Sequence, residues 1–320
     1  MAIETFRVAL QITQKCNIVC DHCWFRSGPE RTAQMDLAEA LCYIEQAREL
    51  GTVEWISFTG GEPFLLPDMM EALIAYAHER GFHTECVTNC FWASTVEDAE
   101  KKLKQLVNAG LDVINISTDD FHQRHIPFDR VRSCYLIAKQ LGLRIVIMCA
   151  LSRSSKLRIE EISRLLGGEH IAIASGYGSP EGASSLAVET GFIPVGRGET
   201  IPEHEWLTGW GSLVGSCRTV LRDIAITPSG EVMPCCSAAG LTKVAKIGNA
   251  LEHTLRKLLK EAHTNKLFRV LSSEGPMGLW KYIEPYPLES FVNKCHFCYE
   301  LLSDSRLTYF HGLGEGNRCA

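Results

Sequence analysis

Six short apolar runs recur through the first two hundred residues, each followed by a stretch with helical periodicity, and this alternation limits the fold more than any other feature. The runs are Phe6 to Ile12, Val53 to Thr59, His83 to Thr88, Asp112 to Ser117, Arg144 to Ala150 and His170 to Ala174. Strands that alternate with helices belong to an α/β fold, a parallel sheet covered by helices. Leu37, Leu41, Ile44 and Ala47 form one helical stripe, and Met70, Leu73, Ile74 and Ala77 form another. Ser94 and Glu97 form a capping box ahead of a helix that stops at Gly110. Periodicity does not show closure, so a doubly wound open sheet and a partial barrel both satisfy the pattern. After Ile201 the repeat ends and a different cysteine pattern begins.

Composition excludes several classes. The 320 residues are 46% hydrophobic, enough for a full core, and carry a formal charge of -6 with no basic run, which argues against a nucleic-acid partner. No apolar stretch approaches the about 18 residues that span a bilayer, so no membrane association is expected. Fourteen cysteines without a secretory signal are expected to be metal ligands or reduced core thiols in a cytoplasmic setting.

Three of those cysteines, Cys16, Cys20 and Cys23, sit within eight positions, and the second strand runs into Gly60-Gly61-Glu62-Pro63. Three close thiolates with no fourth suit a 4Fe-4S cluster with one open iron. A zinc knuckle would need a fourth ligand, and His22 lies inside the loop, poorly placed to close a tetrahedron. A second set comprises Cys217, Cys235, Cys295 and Cys298. Alternation in Ile224 to Thr227 and Glu231 to Met233 around Pro228-Ser229-Gly230 predicts a hairpin that brings the first two thiols together. Four thiolates serve an iron-sulfur cluster or a structural zinc equally well on spacing alone. Cys236 adjoins Cys235 and is left over: a buried reduced thiol, or a group with a task of its own.

The Cys-x3-Cys-x2-Cys run and the Gly-Gly-Glu-Pro turn resemble the signature of the radical SAM superfamily, and the later cysteines resemble its Twitch domain, a shortened SPASM domain. That resemblance implies a partial (β/α)6 TIM-like barrel over residues 1–200 and a smaller C-terminal α+β Twitch domain over 201–320. It implies S-adenosylmethionine on the open iron of a cluster at Cys16, Cys20 and Cys23, and an auxiliary 4Fe-4S cluster at Cys217, Cys235, Cys295 and Cys298. It places Gly60, Gly61 and Glu62 at the methionine amino group and Ser117 and Asp119 at the ribose and carboxylate. Trp24, Val195 and Gly196 would then lie at the adenine. The Gly, Ser and Pro-rich stretch from Ser175 to Gly198 reads as a loop over the barrel mouth, with a last short strand at Phe192 to Arg197.

Asp223 to Ser237, Ser57 to Glu62, Thr88 to Trp92, Ser117 to His122 and Val195-Gly196 are further similar to the radical SAM epipeptide epimerase, as is the helical insert from Leu251 to Tyr282. That likeness implies an epimerase converting L- to D-residues in a ribosomally made precursor peptide, with a flavodoxin or ferredoxin-type electron donor. Cys236 matches its hydrogen-donating cysteine and Asp223 an acidic active-site residue. Other activities that this scaffold supports are a sugar or aminoglycoside epimerase, a dehydrogenase, and thioether or carbon-carbon cross-linking of a peptide. Two departures stand out: Cys90 replaces the glycine many radical SAM proteins carry after Thr-Asn, and Cys217 to Cys235 is slightly longer than in the epipeptide enzyme.

Overall fold

The computed structural model describes residues 4–174, 184–209, 213–280, 282–283 and 290–307. Five parallel strands build its centre: β1 (Arg7–Thr13), β2 (Trp55–Gly60), β3 (His83–Thr88), β4 (Val113–Ser117) and β5 (Arg144–Leu151). Between them lie α1 (Leu37–Leu50), α2 (Pro67–Glu79), α3 (Val96–Ala109), the short α4 (Asp120–Gln123) and α5 (Phe128–Gln140); α6 (Ile159–Leu165) follows β5. With β6 (Ala172–Ile173), β7 (Ser185–Gly191), β8 (Asp223–Ile226), β9 (Glu231–Met233) and β10 (Gly248–Asn249), the sheet order among the described residues is β10-β9-β8-β1-β2-β3-β4-β5-β7-β6, so the sheet has two edges and the barrel is partial.

The two faces of the central strands differ in chemistry, as a period of two requires. Val8, Leu10 and Ile12 of β1, Ile56 and Phe58 of β2, and Ile114 and Ile116 of β4 are buried in the main core. Met70, Leu73, Ile74 and Ala77 of α2 join that core, as their spacing predicts. The opposite face carries Arg7, Ser57, Glu85, Asn115 and Ser117, which line a cavity.

Several sequence expectations need correction. The sixth long strand is not His170 to Ala174: β6 (Ala172–Ile173) is a two-residue edge, and β7 (Ser185–Gly191) pairs with β5 in its place. Ser185, Ala187 and Gly191 are buried at alternate or wider positions of β7, a pattern diluted by Glu189 and Thr190 and so invisible to an apolar count. The stretch read as a loop from Ser175 to Gly198 therefore contains a full strand; its residues 175–183 lie outside those described. The strand expected at Phe192 to Arg197 is absent, because the chain turns into a 3-10 segment at Gly196–Thr200. Helix α3 is capped by Thr95, whose hydroxyl accepts the Asp98 N–H at 3.0 Å, while Ser94 bonds the Asp98 side chain. In α1 the buried face is Ala40, Tyr43, Ile44 and Ala47, because the Asp36 cap places Leu37 in the exposed first turn. Gly110 does end α3, in the left-handed conformation.

The predicted hairpin forms as β8 (Asp223–Ile226) and β9 (Glu231–Met233), with β10 (Gly248–Asn249) beside it. Strand β8 pairs in parallel with β1, Arg7 opposite Asp223, so the sheet runs from the N-terminal half straight into the C-terminal half. Helices α7 (Leu255–Thr264), α8 (Lys266–Glu274) and α9 (Met277–Trp280) fill the insert, and α10 (Lys294–Ser303) carries the last two described cysteines.

Candidate active site

Two glycines lock the turn after β2 onto the loop after β1. A Cβ on Gly60 would lie 2.4 Å from the Thr13 carbonyl oxygen, and one on Gly61 2.1 Å from that of Lys15. Freed of side chains, the segments join through Gly61 N–H to Thr13 O at 2.7 Å and Glu62 N–H to Lys15 O at 2.9 Å. This seats Glu62 beside the loop that carries Cys16, Cys20 and Cys23. Its carboxylate is 1% exposed and accepts from Asn89 N–H at 2.8 Å, the Thr88 hydroxyl at 2.9 Å and Phe64 N–H at 3.2 Å. Burial still pushes the Glu62 pKa up to about 7, against the pull of those donors and of His122.

The cysteine loop is clamped from the other side. Arg197 donates to the Cys20 carbonyl at 2.8 Å and to that of Ser27 at 2.7 Å, and its own N–H reaches the Cys23 carbonyl at 3.1 Å. Gly196, with φ of 66°, lies so close to the Trp24 backbone that a Cβ would be 2.4 Å from its carbonyl oxygen. Asn89 reaches Asn17 at 2.9 Å and lies 3.9 Å from the Cys16 sulfur.

Loop and sheet enclose a cavity of about 380 Å³, with Cys16, Cys20 and Cys23 at one end and Arg7 and Cys236 at the other. The distance between the ends follows from β1: its seven residues extend about 20 Å, with the cysteine loop past its C-terminal end and Arg7 at its start. Cys236 arrives there because β9 runs antiparallel to β8, which returns the chain to the start of β8, where Cys236 N–H bonds Asp223 O at 2.9 Å. Arg7 links Glu85 at 2.9 Å and Asp223 at 3.1 Å beneath the Cys236 thiol. That thiol is open to the cavity yet enclosed by protein, and this enclosure pushes its pKa up to about 11 against the opposing Arg7 charge. It is a neutral S–H group at neutral pH.

The second set gathers behind the hairpin. Cys217 is tied by its N–H to Leu271 O at 2.9 Å, Cys235 follows β9, and Cys295 and Cys298 lie one turn apart on α10, whose start is capped by Asn293. Burial first, and neighbouring thiols second, push the Cys235, Cys295 and Cys298 thiols up, and Ser237 Oγ lies 3.2 Å from the Cys235 sulfur. A zinc tetrahedron would hold sulfurs about 3.8 Å apart. Among the described residues, the group of three such ligand atoms mutually within 4.8 Å is His22, Asp119 and His122, so neither cysteine set closes that tightly. Both Asp119 oxygens are already bonded to the chain, through His122 and Ala150, and His22 meets His122 through a ring contact.

Of the residues singled out from sequence, Cys16, Cys20, Cys23, Trp24, Gly60, Gly61, Glu62, Ser117 and Cys236 line the cavity. Asp119, Val195, Gly196 and Asp223 do not: Asp119 stands behind His122, Val195 and Gly196 support the cysteine loop, and Asp223 acts through Arg7. Arg7, Glu85, Asn89, His122 and Arg197 were not singled out as site residues. A polar residue at an inward strand position, such as Glu85 or Asn115, was the available signal. The donor set fits the expected cofactors: three thiols, a buried carboxylate suited to an ammonium group, and Ser27 Oγ and His22 Nδ1, both buried without a partner on the same cavity.

A partial parallel barrel with three thiols past its first strand and a four-thiol site on a C-terminal extension defines an iron-sulfur enzyme that uses S-adenosylmethionine. Residues 10–166 match the radical SAM superfamily and residues 217–284 an iron-sulfur cluster-binding domain of the SPASM type. The chain belongs to the radical SAM superfamily, whose cofactors here are S-adenosylmethionine and two 4Fe-4S clusters. It is similar to the putative peptide biosynthesis protein YydG of Bacillus subtilis (strain 168), 22% identical over 323 aligned positions that cover 95% of this chain and 94% of that one. It is also similar to the PqqA peptide cyclase of Gluconobacter oxydans (strain 621H), 26% identical with 81% and 77% covered. In fold it is similar to SuiB of Streptococcus suis bound to S-adenosylmethionine, with a TM-score of 0.54, 17% identity and coverage of 83% and 67%. BtrN in complex with AdoMet and 2-DOIA has a TM-score of 0.53, 16% identity and coverage of 91% and 100%.

Proposed function

We propose that this radical SAM enzyme acts on a peptide and inverts a carbon centre, with Cys236 returning hydrogen to the face opposite the one from which hydrogen is removed. The observation that carries the reading is the position of the Cys236 thiol, on the same cavity as Cys16, Cys20 and Cys23 but at its other end. The relatives named for peptide biosynthesis and peptide cyclisation favour a peptide as the substrate.

Cys16, Cys20 and Cys23 would hold one cluster, and Cys217, Cys235, Cys295 and Cys298 the other. Cofactor chemistry supplies a 5′-deoxyadenosyl radical that takes a hydrogen atom from the substrate. Glu62 would bind the ammonium group of S-adenosylmethionine, with Ser117, Trp24 and the Gly60-Gly61 turn orienting the remainder. Arg7, held by Glu85 and Asp223, fixes the floor beneath the substrate. Cys236 donates its S–H hydrogen atom to the substrate carbon, and one electron and one proton then restore the thiol. A flavodoxin or ferredoxin-type protein is the class of donor that would supply the electron.

Peptide cross-linking is the second reading, favoured by the PqqA peptide cyclase relatives. The two separate cleanly in an anaerobic assay with S-adenosylmethionine, reductant and a peptide encoded beside the gene. Chiral amino-acid analysis that finds D-residues in a product of unchanged mass supports epimerisation. A product lighter by two hydrogens, without D-residues, replaces it with cross-linking or dehydrogenation.

A further inference from the structure

The stretch from Thr88 to Trp92 closes around Glu62, and the proposed reaction gives it no task. Asn89 N–H donates to Glu62 Oε2 at 2.8 Å, and the Thr88 hydroxyl lies 2.9 Å from Oε1, which also accepts Phe64 N–H at 3.2 Å. Thr88 is buried, so its hydroxyl finds its partners within the chain. A hydroxyl has one hydrogen and two lone pairs. The Trp92 indole N–H takes one lone pair at 2.9 Å, and the Cys90 backbone N–H takes the other at 3.1 Å. Both acceptor positions are then filled, and the one hydrogen goes to Glu62 Oε1. The indole is held in place by stacking on Phe64, with ring centroids 4.7 Å apart and planes 8° from parallel, and Phe64 belongs to the turn that Glu62 caps.

We infer that Trp92 fixes the Thr88 hydroxyl as a donor and that Thr88 in turn fixes the Glu62 carboxylate, so that Oε2 is the oxygen presented to the ammonium group of S-adenosylmethionine. The count of lone pairs selects that oxygen. Each carboxylate oxygen accepts about two hydrogen bonds. Oε1 is filled by Thr88 and Phe64, whereas Oε2 holds Asn89 and keeps one position on a carboxylate that lines the cavity. Donors in series also polarise one another, so the indole strengthens the bond that Thr88 gives to Glu62. Trp92 does not line the cavity. It is a positioning residue that acts through Thr88, and Thr88 acts through Glu62. The inference rests on the reading that Glu62 binds the ammonium group, and it stands whether or not Cys236 returns hydrogen.

Calorimetric titration of S-adenosylmethionine into the anaerobically reconstituted protein tests it, with iron content measured on every variant. Trp92→Phe keeps a ring over Phe64 and removes the indole N–H, and should weaken binding about three- to tenfold, the worth of one hydrogen bond between neutral groups. Thr88→Val should weaken it about tenfold or more, and Thr88→Ser, which restores the hydroxyl, should return it to within about twofold of wild type. In Glu62→Gln protein, Trp92→Phe should weaken binding no further, because the residue through which it acts is gone. Wild-type affinity in iron-replete Trp92→Phe and Thr88→Val would overturn the inference. So would a loss from Trp92→Phe that recurs in full on Glu62→Gln, since the indole would then support the fold in general. Should Trp92→Phe lose iron, the Thr88 variants carry the test, and equal affinities of Thr88→Val and Thr88→Ser overturn it. Wild-type affinity in Glu62→Gln would overturn the assignment of Glu62 to the ammonium group and the inference with it, whereas weakened binding in Glu62→Gln beside unaffected Trp92 and Thr88 variants overturns the inference alone.

Discussion

Cys235 and Cys236 are consecutive in the chain and face two different sites: Cys235 joins Cys217, Cys295 and Cys298, while Cys236 opens onto the cavity shared with the N-terminal cysteines. The bend after β9 makes this possible, where the Cys236 N–H is held to Asp223 O at 2.9 Å. Iron analysis should separate the pair. Cys235→Ala is expected to lose about four of about eight irons, one of two 4Fe-4S clusters, and Cys236→Ala none. Equal losses would place both thiols at one cluster.

Gly61 tests the junction between the Gly-Gly-Glu-Pro turn and the cysteine loop. A methyl group there meets the Lys15 backbone, which cannot rotate away. Gly61→Ala is expected to cost about 3 kcal/mol of stability and to deplete iron at the N-terminal site while sparing the auxiliary one. Urea unfolding and iron content of a Gly61→Ala preparation check both.

Glu62 titrates near pH 7 because it is buried. Its pKa in the fold lies above the ordinary carboxylate value, so the folded protein keeps a proton that the unfolded chain releases. Ligand-free stability therefore falls as pH rises from about 4.5 to 7. An ammonium group binds the ionised form, so affinity for S-adenosylmethionine should rise through the same window and level off above pH 7. Glu62→Gln should flatten that profile and weaken binding by about 10- to 100-fold, the worth of a charge-assisted hydrogen bond. Isothermal titration between about pH 5.5 and 8.5, about one and a half units either side of the transition, reads both effects.

Cys90 is buried with φ of 65°, a left-handed conformation that costs a side-chain-bearing residue about 1–2 kcal/mol. The glycine that many radical SAM proteins carry at this position is thus explained by the backbone, and Cys90 tolerates the strain through its packing in the main core, which also holds the Cys134 thiol. Cys90→Gly and Cys90→Ala both lose the packing of the thiol, but only the first relieves the backbone. Denaturant unfolding should find the glycine variant more stable by about 1 kcal/mol. An alanine variant of equal or greater stability would contradict the assignment.

The sequence was most legible where chemistry and geometry share a local cause. Three cysteines in eight residues, a Gly-Gly turn at a strand end and the apolar spacing of Met70, Leu73, Ile74 and Ala77 each follow from contacts within a few residues or one helix face. The sixth long strand was missed because Glu189 and Thr190 break its apolar pattern, and its place beside β5 depends on pairing that no local signal records. Arg7, Glu85 and Asp223 come from three distant segments, and only the parallel register of β8 on β1 assembles them. The family resemblance implied Asp119 at the cofactor, but the turn into α4 aims its carboxylate at His122 and Ala150.

The central claim is that Cys236 returns the hydrogen. The most direct test runs the peptide reaction in deuterated water, where the exchangeable thiol becomes S–D, and compares wild type with Cys236→Ala by mass spectrometry and chiral analysis. The account predicts one deuterium at Cα of each D-residue formed by wild type, and no D-residues from Cys236→Ala although S-adenosylmethionine is still cleaved. D-residues formed by Cys236→Ala at the wild-type rate, with the same deuterium content, would contradict it.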